Sequence, residues 1–145
     1  MESEGMVHAL ETIRSLLKPG GALIDIHPTT KRPEIFARTK AGTRFIGTLN
    51  ETDEGIEYAQ AEAALEQAVR TGKFVQVFED QFTFSNHADT IQSLEKYLAE
   101  NWKDAVLTQA VFEKALALQN APAGVEDIIL TESVHIARLR ALGQG

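Results

Sequence analysis

The 145-residue sequence contains no cysteine, which excludes disulfide bonds and thiolate metal sites. It also lacks any apolar run near the roughly 18 residues that a membrane-spanning helix needs. The acidic amino terminus, residues 1–5, has neither the basic nor the apolar region of a signal peptide. From these absences we expect a cytoplasmic protein that does not interact with membranes.

Basic residues are also few, since 14 Lys and Arg stand against 21 Asp and Glu, and the net charge is −7. A net negative charge of this size repels phosphate backbones and anionic lipids. The one basic cluster comprises Lys31, Arg32, Arg38, Lys40 and Arg44, and we interpret it as the solvated edge of a hairpin. We therefore expect no nucleic-acid partner.

The residues that are present are those of an ordinary globular protein, with 43% apolar and 24% charged side chains. A chain of this length fits one domain and buries enough surface to hold a core. We predict a single domain over residues 1–145, in which residues 1–5 are flexible.

Hydrophobic spacing, turn residues and caps predict a chain of alternating helices and strands. In order, we expect a helix over 6–17, a strand over 22–26, a hairpin over 34–49, a helix over 53–71, a strand over 73–84, helices over 87–101 and 105–119, and a long strand from 125 to about 139 whose carboxyl end has a helical alternative. The predicted fold class is α/β, a small mixed sheet with helices packed on it, or α+β if the sheet is mostly antiparallel.

Two strands have side-chain patterns that predict burial. The nearly continuous apolar run Ala22-Leu23-Ile24-Asp25-Ile26 is typical of a parallel strand covered on both faces. In the strand 73–84, Phe74, Phe78, Phe82 and Phe84 share one face by alternation, which predicts that this face is mostly core. We expect Asp53 to cap the second helix and Ser85-Asn86 to cap the third.

The junction Leu17-Lys18-Pro19-Gly20-Gly21, between a helix and an apolar strand, resembles one found in class I S-adenosylmethionine-dependent methyltransferases. In that family a helix ends in Leu-Lys-Pro-Gly-Gly and leads into the fifth strand. A later strand, helices and a final antiparallel strand follow there, and residues 73–139 match that order. The resemblance implies the carboxyl-terminal half of a Rossmann-like methyltransferase fold.

The half of the methyltransferase fold that binds the cofactor has no counterpart in this sequence. The family holds S-adenosylmethionine with a glycine-rich turn after the first strand and an acidic residue at the end of the second. The one Gly-x-Gly here, Gly143-Gln144-Gly145, has no helix after it and cannot be such a turn. We assign no catalytic, cofactor-binding or metal-binding residue, and we expect no cofactor for the chain alone.

Asp25 and His27 are the best candidates for a pocket, because their i, i+2 spacing places both on one face near the end of a strand. A histidine with a carboxylate can do acid–base work or bind a metal. Two ligands are too few for a metal and the sequence places no third. A hydrogen-bonded structural pair is the simpler interpretation.

Three functions stay open at this point. The first is a non-catalytic methyltransferase-like domain with a structural or protein-binding role, which self-associates as a dimer to cover an open strand edge. The second is one half of a split or truncated methyltransferase, active only when a partner chain supplies the missing amino-terminal half and the S-adenosylmethionine site. The third is a small-ligand-binding module that uses His27 and the hairpin 34–49.

Overall fold

The computed structural model describes residues 3–51 and 56–143, in which four α-helices and seven β-strands form. The helices are α1 (Ser3–Leu16), α2 (Ile56–Arg70), α3 (Ile91–Asn101) and α4 (Gln109–Asn120). The strands are β1 (Ala22–Pro28), β2 (Glu34–Thr39), β3 (Gly42–Thr48), β4 (Asn50–Glu51), β5 (Phe74–Ala88), β6 (Ala105–Val106) and β7 (Asp127–Ala141).

The chain divides into two compact units. Unit 1 comprises Met1–Thr30, Gly55–Phe82 and Val134–Gly145, and unit 2 comprises Lys31–Glu54 and Thr83–Ser133. Strands β5 and β7 each run from one unit into the other. The single domain over residues 1–145 stays a prediction.

Unit 1 consists of a sheet and two helices. Strand β1 pairs antiparallel with the carboxyl-terminal part of β7, from Ala22 opposite Arg140 to Pro28 opposite Val134. Strand β5 also pairs with β7, and helices α1 and α2 pack against each other. The core of unit 1 is apolar and consists of Phe74, Ala68, Ala137, Leu139 and Ala141 with Leu10, Leu17, Leu23, Leu65 and Val69 packed on them.

Glycines with positive φ angles follow both helices of unit 1. Gly20 has φ 78° and Gly72 has φ 77°, a backbone conformation that L side chains rarely adopt. After α2 the Lys73 amide donates to the Ala68 carbonyl at 3.0 Å, which satisfies a carbonyl that the helix leaves free. The two helices end at Leu16 and Arg70, close to the predicted ends at residues 17 and 71.

Unit 2 is a hairpin with two helices. Strands β2 and β3 pair antiparallel, β2 also pairs antiparallel with the amino-terminal part of β7, and β4 pairs with β6. Helix α4 packs on β3 and on α3. The core of unit 2 contains Ile35, Ala37, Ile46, Leu49, Ile91, Leu94, Leu98, Ala115, Ile128 and Leu130.

The predicted fold class is confirmed, with one qualification from the strand directions. The chain mixes helices and strands as expected, and its pairing is mostly antiparallel, which corresponds to the α+β form of the prediction. The likeness to a Rossmann-like methyltransferase fold stays a prediction. The hairpin and the long final strand form as predicted, since β7 continues to Ala141 without a helical end.

The predicted start of the third helix is wrong, and several other local predictions fall on residues outside the described ranges. The helix predicted over 87–101 begins at Ile91, with Thr90 as its cap accepting from the Ser93 amide, because residues 85–88 extend β5 instead. The predicted Ser85-Asn86 cap is therefore wrong. The predicted Asp53 cap, residues 1 and 2 of the flexible segment, and Gln144 and Gly145 lie outside the described residues.

The two burial predictions are wrong. Strand β1 is antiparallel to β7, and its Ile24 and Ile26 side chains are 52% and 59% exposed, so one face is not covered. Of the four phenylalanines, Phe74 alone is buried, whereas Phe78 and Phe82 are 51% and 45% exposed. The apolar core of unit 1 lies on one face of its sheet, which leaves Ile24 and Ile26 exposed. Strict alternation also fails along β5, because Gln76, Glu79 and Gln81 all line the same cavity, so the position of Phe74 in the core does not extend to Phe78 and Phe82.

No helix among residues 3–51 and 56–143 is long and apolar enough to cross a membrane.

Candidate functional site

The antiparallel register of β1 and β7 brings two histidines of unit 1 together. His27 lies directly opposite His135, and their ring centroids are 5.0 Å apart. Asp25 is two residues before His27 on the same face of β1, and its partner in the register is the small, buried Ala137. The strand pairing therefore places an aspartate and two imidazoles at one point of the sheet.

Asp25 joins the two histidines. Its Oδ2 accepts from His27 Nδ1 at 2.6 Å and lies 3.8 Å from His135 Nδ1. His135 Nδ1 is buried and has no hydrogen-bond partner within the described ranges. A buried polar atom without a hydrogen bond costs about 1–3 kcal/mol of stability. The His135 Nδ1 atom is therefore a position where an additional partner would stabilise the structure.

Two glutamates lie at the outer nitrogens of the rings. Glu62 Oε1, on α2, is 3.4 Å from His27 Nε2, and Glu79 Oε1, on β5, is 3.5 Å from His135 Nε2. Each histidine therefore has a carboxylate on its Nε2 side in addition to Asp25 near its Nδ1. We call these five residues the His27–His135 cluster.

The protonation of His27 follows from these contacts. The hydrogen bond to Asp25 is the largest effect, and with that carboxylate's charge and with Glu62 it raises the pKa of His27 above its ordinary value, against the opposing effect of burial. Because carboxylates only accept, both ring nitrogens must donate, which favours the imidazolium form in the absence of a metal.

A cavity of about 530 Å³ adjoins the cluster. Its polar lining includes His27, His135, Glu66, Arg70 and Gln76, and Leu65, Val69, Ala137 and Leu139 form its apolar part. All these residues belong to unit 1, whereas the hairpin 34–49 belongs to unit 2. The cavity is large enough for a small ligand beside polar groups that can orient it.

Part of this site is predictable from the sequence. Asp25 and His27 share one face and form a hydrogen bond, as the simpler interpretation of the pair expects. His135 was missed, because its only local signal is a polar residue between Val134 and Ile136. Placing it needs the pairing of two strands that are far apart in the sequence, and the register of that pairing follows from tertiary packing.

His87 also gains a partner that its sequence context does not indicate. It lies in β5 instead of at a helix start, and its Nδ1 donates to Asp127 Oδ2 at 2.6 Å within unit 2. The Arg38 guanidinium is 3.6 Å from the same carboxylate oxygen. With one exposed histidine and one carboxylate that is already paired, this group supplies no open ligand position.

The face of the unit 1 sheet opposite the cavity carries exposed apolar side chains. Ile24 and Ile26 point away from Asp25 and His27, and Phe78 and Phe82 point away from Glu79 and Gln81, which line the cavity. These four apolar side chains are each about half exposed. We call them the bare face.

Comparison of the chain with models of known protein families, with curated proteins and with solved structures finds no significant match. The methyltransferase resemblance therefore depends on the residues quoted above and stays a prediction.

Proposed function

We propose that this chain is a methyltransferase-like domain without catalytic activity of its own, and that it functions by associating with protein through the bare face and the edge of β1. The observation that carries this proposal is the exposure of Ile24, Ile26, Phe78 and Phe82 on one face of the unit 1 sheet. Contiguous exposed apolar surface marks interaction sites, whereas isolated exposed apolar residues are common and need no partner.

The edge of β1 supports the same proposal. Within the described residues β1 pairs with β7 alone, which leaves its other edge with free backbone donors and acceptors. In the resembled family the corresponding strand pairs with the fourth strand of the intact fold. An open edge next to an apolar face is a surface that a second polypeptide can cover by strand pairing and by packing.

The partner that we propose for the isolated chain is a second copy. The side of the sheet that carries the bare face also carries the exposed charges of Asp80, between Phe78 and Phe82, and of Arg138, opposite Ile24. A twofold axis can place Asp80 of one copy near Arg138 of the other, as a self-complementary interface requires. Two sheets packed face to face at about 10 Å would bury the apolar side chains of both.

Sedimentation equilibrium of the tag-free chain tests this function. We expect a concentration-dependent monomer–dimer equilibrium with a dissociation constant of about 10 µM or tighter, because the interface is apolar. A single monomeric species up to about 1 mM, which corresponds to less than roughly 4 kcal/mol of association, would contradict it.

A second candidate, one half of a split methyltransferase, is favoured by the order of elements in unit 1. Helix α1 ends at the Leu-Lys-Pro-Gly-Gly junction and leads into β1, and the last strand runs antiparallel to β1 with β5 also paired to it. This order agrees with the helix, strand and returning final strand that the resemblance implies. The bare face and the β1 edge would then bind the chain that supplies the missing half.

The cofactor of that family needs a glycine-rich turn from a strand into a helix. The strand-to-helix junctions in the described part of the chain are at residues 89–90 and 107–108, and neither contains glycine. The residues present at these two junctions do not fit S-adenosylmethionine, and we derive no reaction step through it.

Isothermal titration with S-adenosylmethionine tests the second candidate. The chain alone should show no binding at micromolar concentrations, because the family's cofactor residues have no counterpart here. If this chain is half of an enzyme, binding should appear when a polypeptide carrying the amino-terminal half is added. Micromolar binding to the isolated chain would contradict the absence of a cofactor site.

The cytoplasmic location stays a prediction, which cell fractionation would check.

A further inference from the structure

We propose that Asp25, His27 and His135 form a binding site for one divalent transition-metal ion of the Zn²⁺ type, with the two Nδ1 atoms and the aspartate Oδ2 as ligands. One ligand atom from each residue lies within 4.8 Å of the other two. Imidazole nitrogens with one carboxylate suit Zn²⁺, Co²⁺ or Ni²⁺, whereas Mg²⁺ and Ca²⁺ prefer oxygen ligands alone.

The distances show how an ion would fit. With metal–ligand bonds of about 2.1 Å in a tetrahedral arrangement, the ligand atoms lie about 3.4 Å apart. The Asp25 Oδ2 lies 2.6 Å from His27 Nδ1, which is shorter, and 3.8 Å from His135 Nδ1, which is longer. Binding of an ion therefore requires the first distance to lengthen and the second to shorten, which small side-chain rotations can achieve. The ion would take the place of the proton that His27 Nδ1 donates to Asp25.

The unsatisfied atom of the cluster points to the same place. His135 Nδ1 is buried without a hydrogen-bond partner and lies at ion-pair distance from the Asp25 carboxylate. A cation between these two atoms would give this nitrogen its missing partner. The purely structural interpretation, a hydrogen-bonded Asp25–His27 pair, leaves the burial of this nitrogen unexplained.

The two glutamates occupy the positions that metal-bound histidines require. A histidine that binds a metal through one nitrogen usually donates its other N–H to a carboxylate, which fixes the orientation of the ring. Glu62 and Glu79 lie 3.4 Å and 3.5 Å from the Nε2 atoms of His27 and His135. Both rings are therefore held with Nδ1 toward Asp25.

Three protein ligands leave a fourth position open. Structural zinc sites are closed by four protein ligands, whereas sites that bind an exchangeable ligand keep one position for water or another small molecule. His27 and His135 both line the cavity of about 530 Å³. The site is thus of the exchangeable kind, and association through the bare face does not depend on it.

The experiment uses the full chain without a histidine tag, freed of metal with EDTA and titrated with ZnCl₂ by calorimetry. We expect one ion per chain, with a dissociation constant of about 1 µM or tighter. His135→Ala and Asp25→Asn should each weaken binding at least about 100-fold, and Glu62→Gln, which leaves the three ligands in place, about 10- to 100-fold. His87→Ala removes an imidazole from unit 2 and should change the affinity less than about twofold.

Two further measurements keep the test decisive if a variant folds poorly. Circular dichroism in EDTA checks each variant, and X-ray absorption of the Zn²⁺-loaded wild type counts imidazole ligands, of which we expect two. The proposal is overturned if the wild type binds Zn²⁺ no tighter than about 100 µM. It is equally overturned if folded His135→Ala binds like the wild type, or if the absorption spectrum shows no imidazole.

Discussion

Phe82→Asp should convert the proposed dimer into monomers, with the dissociation constant rising at least about 100-fold. The Phe82 side chain is about half exposed in the single chain, so an aspartate there is tolerated in the monomer. In the dimer the same carboxylate would lie between two apolar sheets without a partner. Burying an unpaired charge costs several kcal/mol, and about 2.7 kcal/mol already corresponds to 100-fold.

The matched control for this variant is the neighbouring residue. Gln81→Asp adds the same charge one position earlier, and Gln81 is also exposed but lines the cavity on the opposite face. It should leave the dissociation constant within about twofold, because sites that share no partner act independently. Equal loss of dimer in both variants would indicate that net charge, and not the bare face, controls association.

Phe74→Ala should lower the free energy of unfolding by about 3–5 kcal/mol, the largest stability effect that we expect from a single substitution. Phe74 is 1% exposed and packs in the core of unit 1 with Leu139 and Ala137, so truncation leaves a cavity lined by these side chains. Urea titration followed by circular dichroism measures this change.

Phe84→Ala is the control for that variant, because it removes the same side chain from the same strand. Phe84 is about half exposed, and its truncation should cost about 1 kcal/mol or less. The sequence pattern alone assigns both residues to one buried stripe and predicts similar losses. Similar losses in the two variants would therefore restore that interpretation and contradict the exposure seen in the structure.

Local signals in the sequence were sufficient for most of the elements. Proline and glycine after α1, Gly72 after α2 and the short runs on either side of residues 40–43 determine helix ends and the hairpin through backbone preferences of a few residues. Errors arose where competing elements met. Residues 85–88 continue β5, so Ser85 and Asn86 do not cap a helix, and Thr90 caps α3 instead.

The burial of strands could not be predicted in the same way. An apolar run such as residues 22–26 shows that a strand can be buried, but the number of layers around it depends on where the helices pack. In unit 1 the core containing Leu23 and Leu139 covers one face, and Ile24 and Ile26 point to the other. The His27–His135 cluster required the register of β1 on β7, which is likewise a property of the folded chain.

Distance measurement between spin labels tests the association through the bare face most directly. Because the chain has no cysteine, Arg140→Cys introduces a single labelling site at the margin of the bare face, opposite Ala22 in the register. We expect dipolar coupling between the labels of two copies at concentrations where the proposed dimer forms, and its loss when Phe82→Asp is added. A dimer whose coupling persists unchanged in the Phe82→Asp background, or a chain that shows no coupling at any concentration, would contradict it.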